Sequence, residues 1–234
     1  MPSTALITGA TEGIGRAMAF ALGAAGYRVG ACARTEPRLR DLLTELRAKG
    51  ITAAGLPCDV GDEAAVERLT SHVAAELGPV DVLINNAGIG ILKPLLELTT
   101  AEWDATMATN LRSLFLVTRA VLPGMRERKH GTIVNLSSLA GRNGLAGGTA
   151  YSASKHAVLG FSRSLMLEVR QDNVRVVAVC PGSVDTPLLH QQSTLKPDFA
   201  KILRPEDVAQ TVLDILRLPE RALVSELDIR PTNP

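Results

Sequence analysis

Tyr151 and Lys155 lie four residues apart in a stretch whose pattern predicts a helix from about Ala150 to Gln171, so their side chains share one helix face. A phenol ordinarily titrates near ~10. A lysine cation one turn away favours the phenolate and brings the tyrosine proton within reach near neutral pH. Ser138, preceded by a second serine, follows the strand-like run Thr132–Ser137. A hydroxyl there could donate to a carbonyl oxygen as negative charge develops on it. Asn110 falls inside a long helical pattern, where asparagine is a poor helix former, and a polar group there could anchor a water or the lysine. Read singly, each has a plainer meaning: a half-buried helix tyrosine, a surface lysine, a satisfied core amide.

A second constellation sits at the start of the chain. The first apolar run leads into Thr8-Gly9-Ala10-Thr11-Glu12-Gly13-Ile14-Gly15, and a helical pattern follows. Glycines at Gly9, Gly13 and Gly15 let the backbone approach a pyrophosphate closely, and free N–H groups around Thr11 and Ile14 at the helix start can hold anionic oxygens. The spacing is Gly-x-x-x-Gly-x-Gly, not the commoner Gly-x-Gly-x-x-Gly. The plainer alternative is a tight strand-to-helix turn that binds nothing. The second strand ends at Ala33-Arg34, where NAD sites often carry a carboxylate for the ribose 2′-hydroxyl. A guanidinium can instead pair with a 2′-phosphate, and Arg38 could assist from the next helix. The alternative is a surface arginine in a loop. Asp59-Val60, after the third strand, could reach an adenine, or Asp59 could only cap the next helix.

The elements that must position these residues alternate in type. Strand-like runs at Ala5–Thr8, Arg28–Ala33, Thr52–Cys58, Val80–Asn85, Thr132–Ser137, Val174–Cys180 and Glu226–Arg230 are separated by helical patterns. Those patterns cover about Gly13–Ala25, Pro37–Lys49, Asp62–Leu77, Thr100–Arg128 with a bend expected near Pro123, Ala150–Gln171, and a helix opening near Pro205. Gly26, Gly50, Gly78 and Gly131 fall where helices should stop. Nearly continuous apolar strands are buried on both faces, and β/α alternation implies right-handed crossovers. The expected fold class is α/β, one doubly wound domain over residues 1–234, with a substrate flap at about 183–203.

Composition sets the outer bounds. At 234 residues and 46% hydrophobic the chain can bury a large core, and with only 3% aromatics that core must be aliphatic. A net charge of +1 leaves no electrostatic footprint for nucleic acid or an anionic membrane. Cys32, Cys58 and Cys180 show no metal-ligand spacing and read as small buried hydrophobes in a reducing compartment; the four histidines are scattered. The N-terminus lacks a signal pattern, and no run approaches the ~18 apolar residues of a membrane span, so a soluble cytoplasmic protein is expected.

Together these residues resemble the short-chain dehydrogenases/reductases of the compact, single-domain type. The resemblance rests on Thr8–Gly15, on Asn85-Asn86-Ala87-Gly88, on Ser138 with Tyr151-x-x-x-Lys155, and on Pro181-Gly182 followed by Thr186, in order across nearly the whole chain. It implies a Rossmann fold with a parallel seven-stranded sheet in the order 3-2-1-4-5-6-7, and a homotetramer or homodimer built on the long helices. It implies Tyr151 as general acid in reduction and base in oxidation, with Lys155 holding the nicotinamide ribose and lowering the tyrosine pKa. Ser138 would orient the substrate oxygen, and Asn110 would hold a water in a relay to Lys155. Asn86, Ala87 and Gly88 would line the cofactor near its adenosine ribose, and Thr186 with the backbone near Val184 would meet the carboxamide beyond Pro181 and Gly182. The implied cofactor is NADP, with NAD the alternative.

Two features depart from that pattern. Glu12 stands where many NADP-preferring members carry a basic residue. The tail, Ser225 to Thr232, is short and is similar to a subgroup that ends in Arg-Pro-Thr and oxidises small 3-hydroxy acids. Ala140-Gly141-Arg142 looks like that subgroup too, and Arg142 could pair with a substrate carboxylate or simply face solvent. The expected activity is hydride transfer between NADP(H) and a carbonyl/alcohol substrate, a 3-oxo/3-hydroxy acid and a 3-oxoacyl compound among the candidates. A non-catalytic dinucleotide sensor or scaffold is the competing class, and an epimerase would need an extra substrate domain that the region after Cys180 has no room for. Pocket walls are expected at Ile89–Leu92, Leu139–Gly148 and Ser183–Ser193, mostly apolar or glycine.

Overall fold

The computed structural model describes residues 3–192 and 197–233. Seven parallel strands form one sheet: β1 (Thr4–Thr8), β2 (Arg28–Ala33), β3 (Ala53–Pro57), β4 (Val80–Asn85), β5 (Gly131–Leu136), β6 (Val174–Pro181) and β7 (Glu226–Ile229). Their order is β3-β2-β1-β4-β5-β6-β7, so the strand order reverses between β1 and β4. In doubly wound sheets that reversal opens a crevice beyond the carboxyl ends of the strands. The expected α/β class and strand order are therefore both found.

The helices are α1 (Gly13–Ala24), α2 (Glu36–Ala48), α3 (Glu63–Leu77), α4 (Thr100–Met107), α5 (Ser113–Arg128), α6 (Thr149–Val169), the short α7 (Pro187–His190) and α8 (Pro205–Leu216). β1 and β5 are buried at every position, because helices cover both sheet faces. One core layer joins Met18, Leu22, Leu42, Val208 and Val212 of α1, α2 and α8; the other joins Leu69, Val117 and Leu165 of α3, α5 and α6. Burying each of these side chains is worth roughly 1.5–3 kcal/mol. Among the described residues no helix is long and apolar enough to cross a membrane.

Two local features differ from expectation. The long helical stretch is interrupted at a π turn over Ala108–Arg112, not at Pro123, which sits inside α5. The wide turn carries Asn110, and such turns are common at functional sites. Gly26, Gly50 and Gly78 do adopt positive φ at helix ends, but the left-handed residue after α5 is Lys129 (φ 50). Gly131 instead opens β5, where a Cβ would lie 2.6 Å from the Met125 sulfur.

A buried polar thread ties the middle of the sheet to its helices. Asn85 Nδ2 donates to Thr118 Oγ1 at 3.0 Å and to Asn135 Oδ1 at 2.9 Å, and Asn135 Nδ2 donates to Ser162 Oγ at 2.9 Å. Directional bonds of this kind fix β4 and β5 against α5 and α6, which a purely aliphatic contact would allow to slide.

Candidate active site

A cleft of 520 Å³ runs along the carboxyl ends of the strands, from Arg34 and Asp59 at one end to Leu145 and Gln192 at the other. At its first end the turn after β1 is held down by β4. Thr8 Oγ1 accepts from the Asn86 and Ala87 N–H groups at 3.0 Å each, and Asn86 Nδ2 donates to the Thr8 and Gly9 carbonyls at 2.9 and 3.0 Å. Only glycine fits this junction. Gly9 has φ +64, and a Cβ on Gly15 would lie 2.3 Å from the Gly9 carbonyl oxygen. The result is a cradle of bare backbone at the start of α1, the shape an anionic pyrophosphate needs.

At the tip of β2, Arg34 is exposed and makes no ion pair among the described residues. Its neighbours do. Arg38 Nη1 bonds Glu12 Oε2 at 3.0 Å, and Arg16 Nη2 bonds Glu45 Oε2 at 2.5 Å. The pairing bears on the Glu12 departure: its charge is offset in place by Arg38 through an exposed pair, and Arg38 still lines the cleft beside Arg34. Asp59 does not cap α3, since Asp62 does so by accepting from Ala65 N at 3.2 Å. Asp59 closes its own turn onto Gly61 N at 2.9 Å and lines the cleft beside Val60. The donor set of bare glycine backbone plus one unpaired guanidinium fits a dinucleotide carrying a 2′-phosphate.

In the middle of the cleft, Ser138 and Tyr151 face each other from the end of β5 and the first turn of α6. Ser138 opens a short 3-10 turn and accepts from Ala140 N at 3.1 Å. Burial raises the Tyr151 phenol above its ordinary range, and the Ser138 hydroxyl beside it pulls the other way. Lys155 is buried, donates from Nζ to the Leu136 carbonyl at 2.8 Å, and sits 5.8 Å from the Tyr151 ring centroid. Burial pulls its ammonium down to about 8, while Cys180 nearby favours the charge. In the chain alone burial dominates the phenol, and the ammonium is turned to a main-chain carbonyl.

Asn110 is also buried, and its amide is spent on the adjoining loop. Oδ1 accepts from Ile89 N at 2.8 Å, and Nδ2 donates to Ile89 O at 2.9 Å and to Ser154 Oγ at 3.0 Å. Asn110 therefore splints the loop after Gly88 to α6. A Cβ on Gly88 would lie 3.3 Å from Asn110 Oδ1 and 3.6 Å from Lys155 Nζ, so the loop passes close to both side chains.

The far wall comes from the region beyond β6. Pro181, Gly182, Val184 and Thr186 all line the cleft, and Thr186 packs onto the glycine turn, where a Cβ on Gly13 would meet its methyl at 3.1 Å. The expected flap at 183–203 begins here; its residues 193–196 lie outside the described residues. Residues not singled out from sequence also matter. Gln192 Nε2 donates to Gly90 O at 2.8 Å, closing the flap against the opposite wall, and Ser137 Oγ donates to Lys155 O at 2.9 Å. Ser137 is visible in the sequence as the serine before Ser138, and Gln192 falls within the wall expected at Ser183–Ser193 without a signal of its own. Arg142, a candidate carboxylate ligand, does not line the cleft; its guanidinium is bound to Glu226 and to Asp228 Oδ1, the latter at 3.0 Å.

The sequence profile of the short chain dehydrogenases matches residues 3–196. The chain belongs to that family. Within it, a Streptomyces coelicolor protein provisionally named a ketoacyl reductase is 47% identical over 79% of this chain and 71% of its own length. A variant of the actinorhodin polyketide ketoreductase, solved with NADPH, is 38% identical with a TM-score of 0.90, covering 97% of this chain and 95% of that one. A serine dehydrogenase from Escherichia coli is 34% identical with a TM-score of 0.86, covering 99% of both chains.

Proposed function

We propose that this chain is an NADPH-dependent reductase of uncharged ketones, 3-oxoacyl compounds among them. The observation that carries the reading is the convergence, in one cleft, of a bare glycine cradle, an unpaired Arg34, and the Ser138, Tyr151 and Lys155 side chains. When bound, the cofactor supplies the hydride. Gly9, Thr11, Gly13, Ile14 and Gly15 would hold its phosphates, Arg34 its 2′-phosphate, Asp59 and Val60 its adenine, and Asn86, Ala87 and Gly88 its adenosine ribose. Lys155 would hold the nicotinamide ribose, and the wall of Pro181, Gly182, Val184 and Thr186 the carboxamide.

The protein's own chemistry is a proton transfer. Ser138 donates a hydrogen bond to the substrate oxygen, and Tyr151 gives up its phenolic proton as that oxygen gains charge. A phenol is protonated at neutral pH, as a general acid must be, and because burial raises its pKa the charge of Lys155 is needed to help the proton leave. Lys155, charged below about 8, stabilises the phenolate left behind.

Substrate charge follows from the lining. Among the described residues, the charged groups of the cleft are Glu12, Arg34, Arg38, Asp59 and Lys155; Lys155 is the one beside Ser138 and Tyr151. The walls around that centre include Leu92, Leu139, Leu145 and Leu188, with Asn143 and Gln192 as neutral polar groups. With Arg142 held by carboxylates, a small 3-oxo acid finds no cation besides Lys155 near this centre among the described residues, whereas an ester, thioester or plain ketone loses little water on entering. The preference for neutral compounds over the 3-hydroxy acids suggested by the tail rests on this lining. The test is a panel of neutral ketones, 3-oxo esters and 3-oxo acid anions, read as NADPH consumed.

Phe115 of α5 and Leu167 of α6 are 41% and 58% exposed, with Trp103 of α4 close to that range. Large apolar groups on these long helices favour a homodimer or homotetramer packed through them. The same reading assigns the enzyme to the cytoplasm, where three free cysteines persist as thiols.

A further inference from the structure

The turn that carries Ser138 is fastened from outside the cleft. Gly141 N donates to Ser138 O at 2.8 Å and Arg142 N to Leu139 O at 2.9 Å, so Ser138 to Arg142 forms one hydrogen-bonded unit. Arg142 ends that unit, and its guanidinium reaches across to β7, bonding Glu226 Oε2 and Asp228 Oδ1. Glu226 makes a second attachment: Arg163 of α6 donates to it from Nε at 2.5 Å and from Nη2 at 3.1 Å. Arg163 belongs to the helix that carries Tyr151 and Lys155. One carboxylate therefore joins the turn bearing Ser138 to the helix bearing Tyr151.

This junction is better protected than an ordinary surface pair. The Glu226 side chain is 18% exposed and that of Arg142 26%, and both carboxylates facing Arg142 are held below their usual range, with hydrogen bonds from Arg163 and Arg142 on Glu226 and from Arg230 and Arg142 on Asp228 outweighing burial. β7 is four residues long and pairs only with β6, so its backbone contributes little to holding the turn. A planar guanidinium can address two carboxylates at once, which an ammonium cannot do in the same geometry.

We propose that Arg142 is a positioning residue for catalysis: through Glu226 and Asp228 it fixes the Ser138 turn relative to the helix that carries Tyr151. The assignment rests on the ketone-reductase reading above. Arg142 touches neither substrate nor cofactor and acts only through Ser138. A misplacement of about 1 Å at a catalytic group can cost on the order of 100-fold in rate, so Arg142→Gln should lower kcat about tenfold or more. KM for the ketone and affinity for NADPH should change little, and Arg142→Lys should recover only part of the loss.

The decisive measurement is a double-mutant cycle with Ser138→Ala, measured on the best neutral ketone. If Arg142 works through Ser138, Arg142→Gln costs nothing further once the hydroxyl is gone. An equal kcat loss in both backgrounds, or a kcat within about twofold of wild type in the single variant, overturns the proposal. Hydrogen exchange supplies a readout independent of turnover: amides 140–143 should exchange faster in Arg142→Gln, while those at the centre of β5 should not. Unchanged exchange at 140–143 also overturns it. A wild-type chain that reduces no ketone but gives the predicted exchange defeats the functional reading and leaves the clamp itself standing.

Discussion

The Lys155 ammonium lies 5.8 Å from the centroid of the Tyr151 ring and donates its hydrogen bond at 2.8 Å to the Leu136 carbonyl. The two groups are neighbours without being a hydrogen-bonded pair. Burial moves them in opposite directions, the phenol up and the ammonium down to about 8. The phenol is protonated throughout the neutral range, and the ammonium beside it is the first of the two to lose its proton as pH rises.

A pH profile follows from that order. For ketone reduction, kcat/KM reports the free enzyme. It should be level near neutrality and fall as pH rises through about 8, where Lys155 loses its proton. Lys155→Arg cannot deprotonate in this range, so whatever activity it retains should lack that limb. A wild-type profile flat to about pH 10 would remove Lys155 from the titrating role.

Arg34 should decide the cofactor. Among the described residues it makes no ion pair at the tip of β2, while Arg38 and Arg16 are paired with Glu12 and Glu45. A charge-assisted hydrogen bond contributes roughly 1.5–3 kcal/mol, or about 10- to 100-fold in an equilibrium. The double variant Ala33→Asp with Arg34→Ile should lose NADPH preference by about that factor and gain with NADH. Wild-type kcat/KM values measured for both cofactors form the control, and a wild type that prefers NADH contradicts the assignment.

The legible part of this molecule was the part governed by local rules. Seven apolar runs separated by helical patterns, with Gly9, Gly13 and Gly15 after the first, were enough for the α/β class and the place of the cradle, while the strand order rested on the family resemblance. Tyr151 and Lys155 were legible because one helix carries both. What the sequence hid was partnership across distance. Glu12 looked like an obstacle to a 2′-phosphate until its partner Arg38, 26 residues away, was in view. Arg142 looked like a substrate ligand because its partners Glu226 and Asp228 lie 84 and 86 residues further on. The π turn was not legible because Asn110, though visible as a poor helix former, widens the helix through its bonds to Ile89, a partner 21 residues away.

The cradle itself is testable by adding one methyl group. In Gly15→Ala the new Cβ would lie 2.3 Å from the Gly9 oxygen and 2.4 Å from Asn86 Nδ2, so backbone must move. Overpacking of this kind costs roughly 1–3 kcal/mol. The variant should melt several degrees lower, and NADPH titrated by fluorescence should bind at least about tenfold more weakly, since the phosphate-facing backbone is what shifts. Normal affinity in a folded variant would show that the turn does not contact the dinucleotide.

Assembly follows from the exposed faces of α5 and α6. Phe115 and Leu167 should be covered by a second copy, so light scattering at micromolar concentration should give a dimer or tetramer. Phe115→Glu together with Leu167→Glu should shift the mass toward the monomer, because each places an unpaired charge in an apolar contact. A wild-type monomer would reject the interface.

The last prediction concerns Tyr151. Hydride addition to a ketone leaves an oxygen that must gain a proton, and the groups around the middle of the cleft differ in their ability to give one. Ser138 can hydrogen-bond that oxygen but is far too weak an acid to protonate it. Lys155 is turned toward Leu136. Tyr151 faces the cleft with its hydroxyl beside Ser138, and as a phenol it is protonated at neutral pH. Tyr151→Phe keeps the ring and its packing on α6 and deletes only the hydroxyl. General acid catalysis is typically worth roughly 10²–10⁴-fold, so turnover should fall by at least about that lower figure, while the melting temperature and NADPH affinity stay close to wild type. Lys155→Ala should differ in kind: turnover falls and NADPH binds more weakly, because the ribose contact leaves with the charge. Measuring both quantities for both variants separates a proton donor from a binding residue. Near-normal turnover in a folded Tyr151→Phe would sink the proton-transfer mechanism outright.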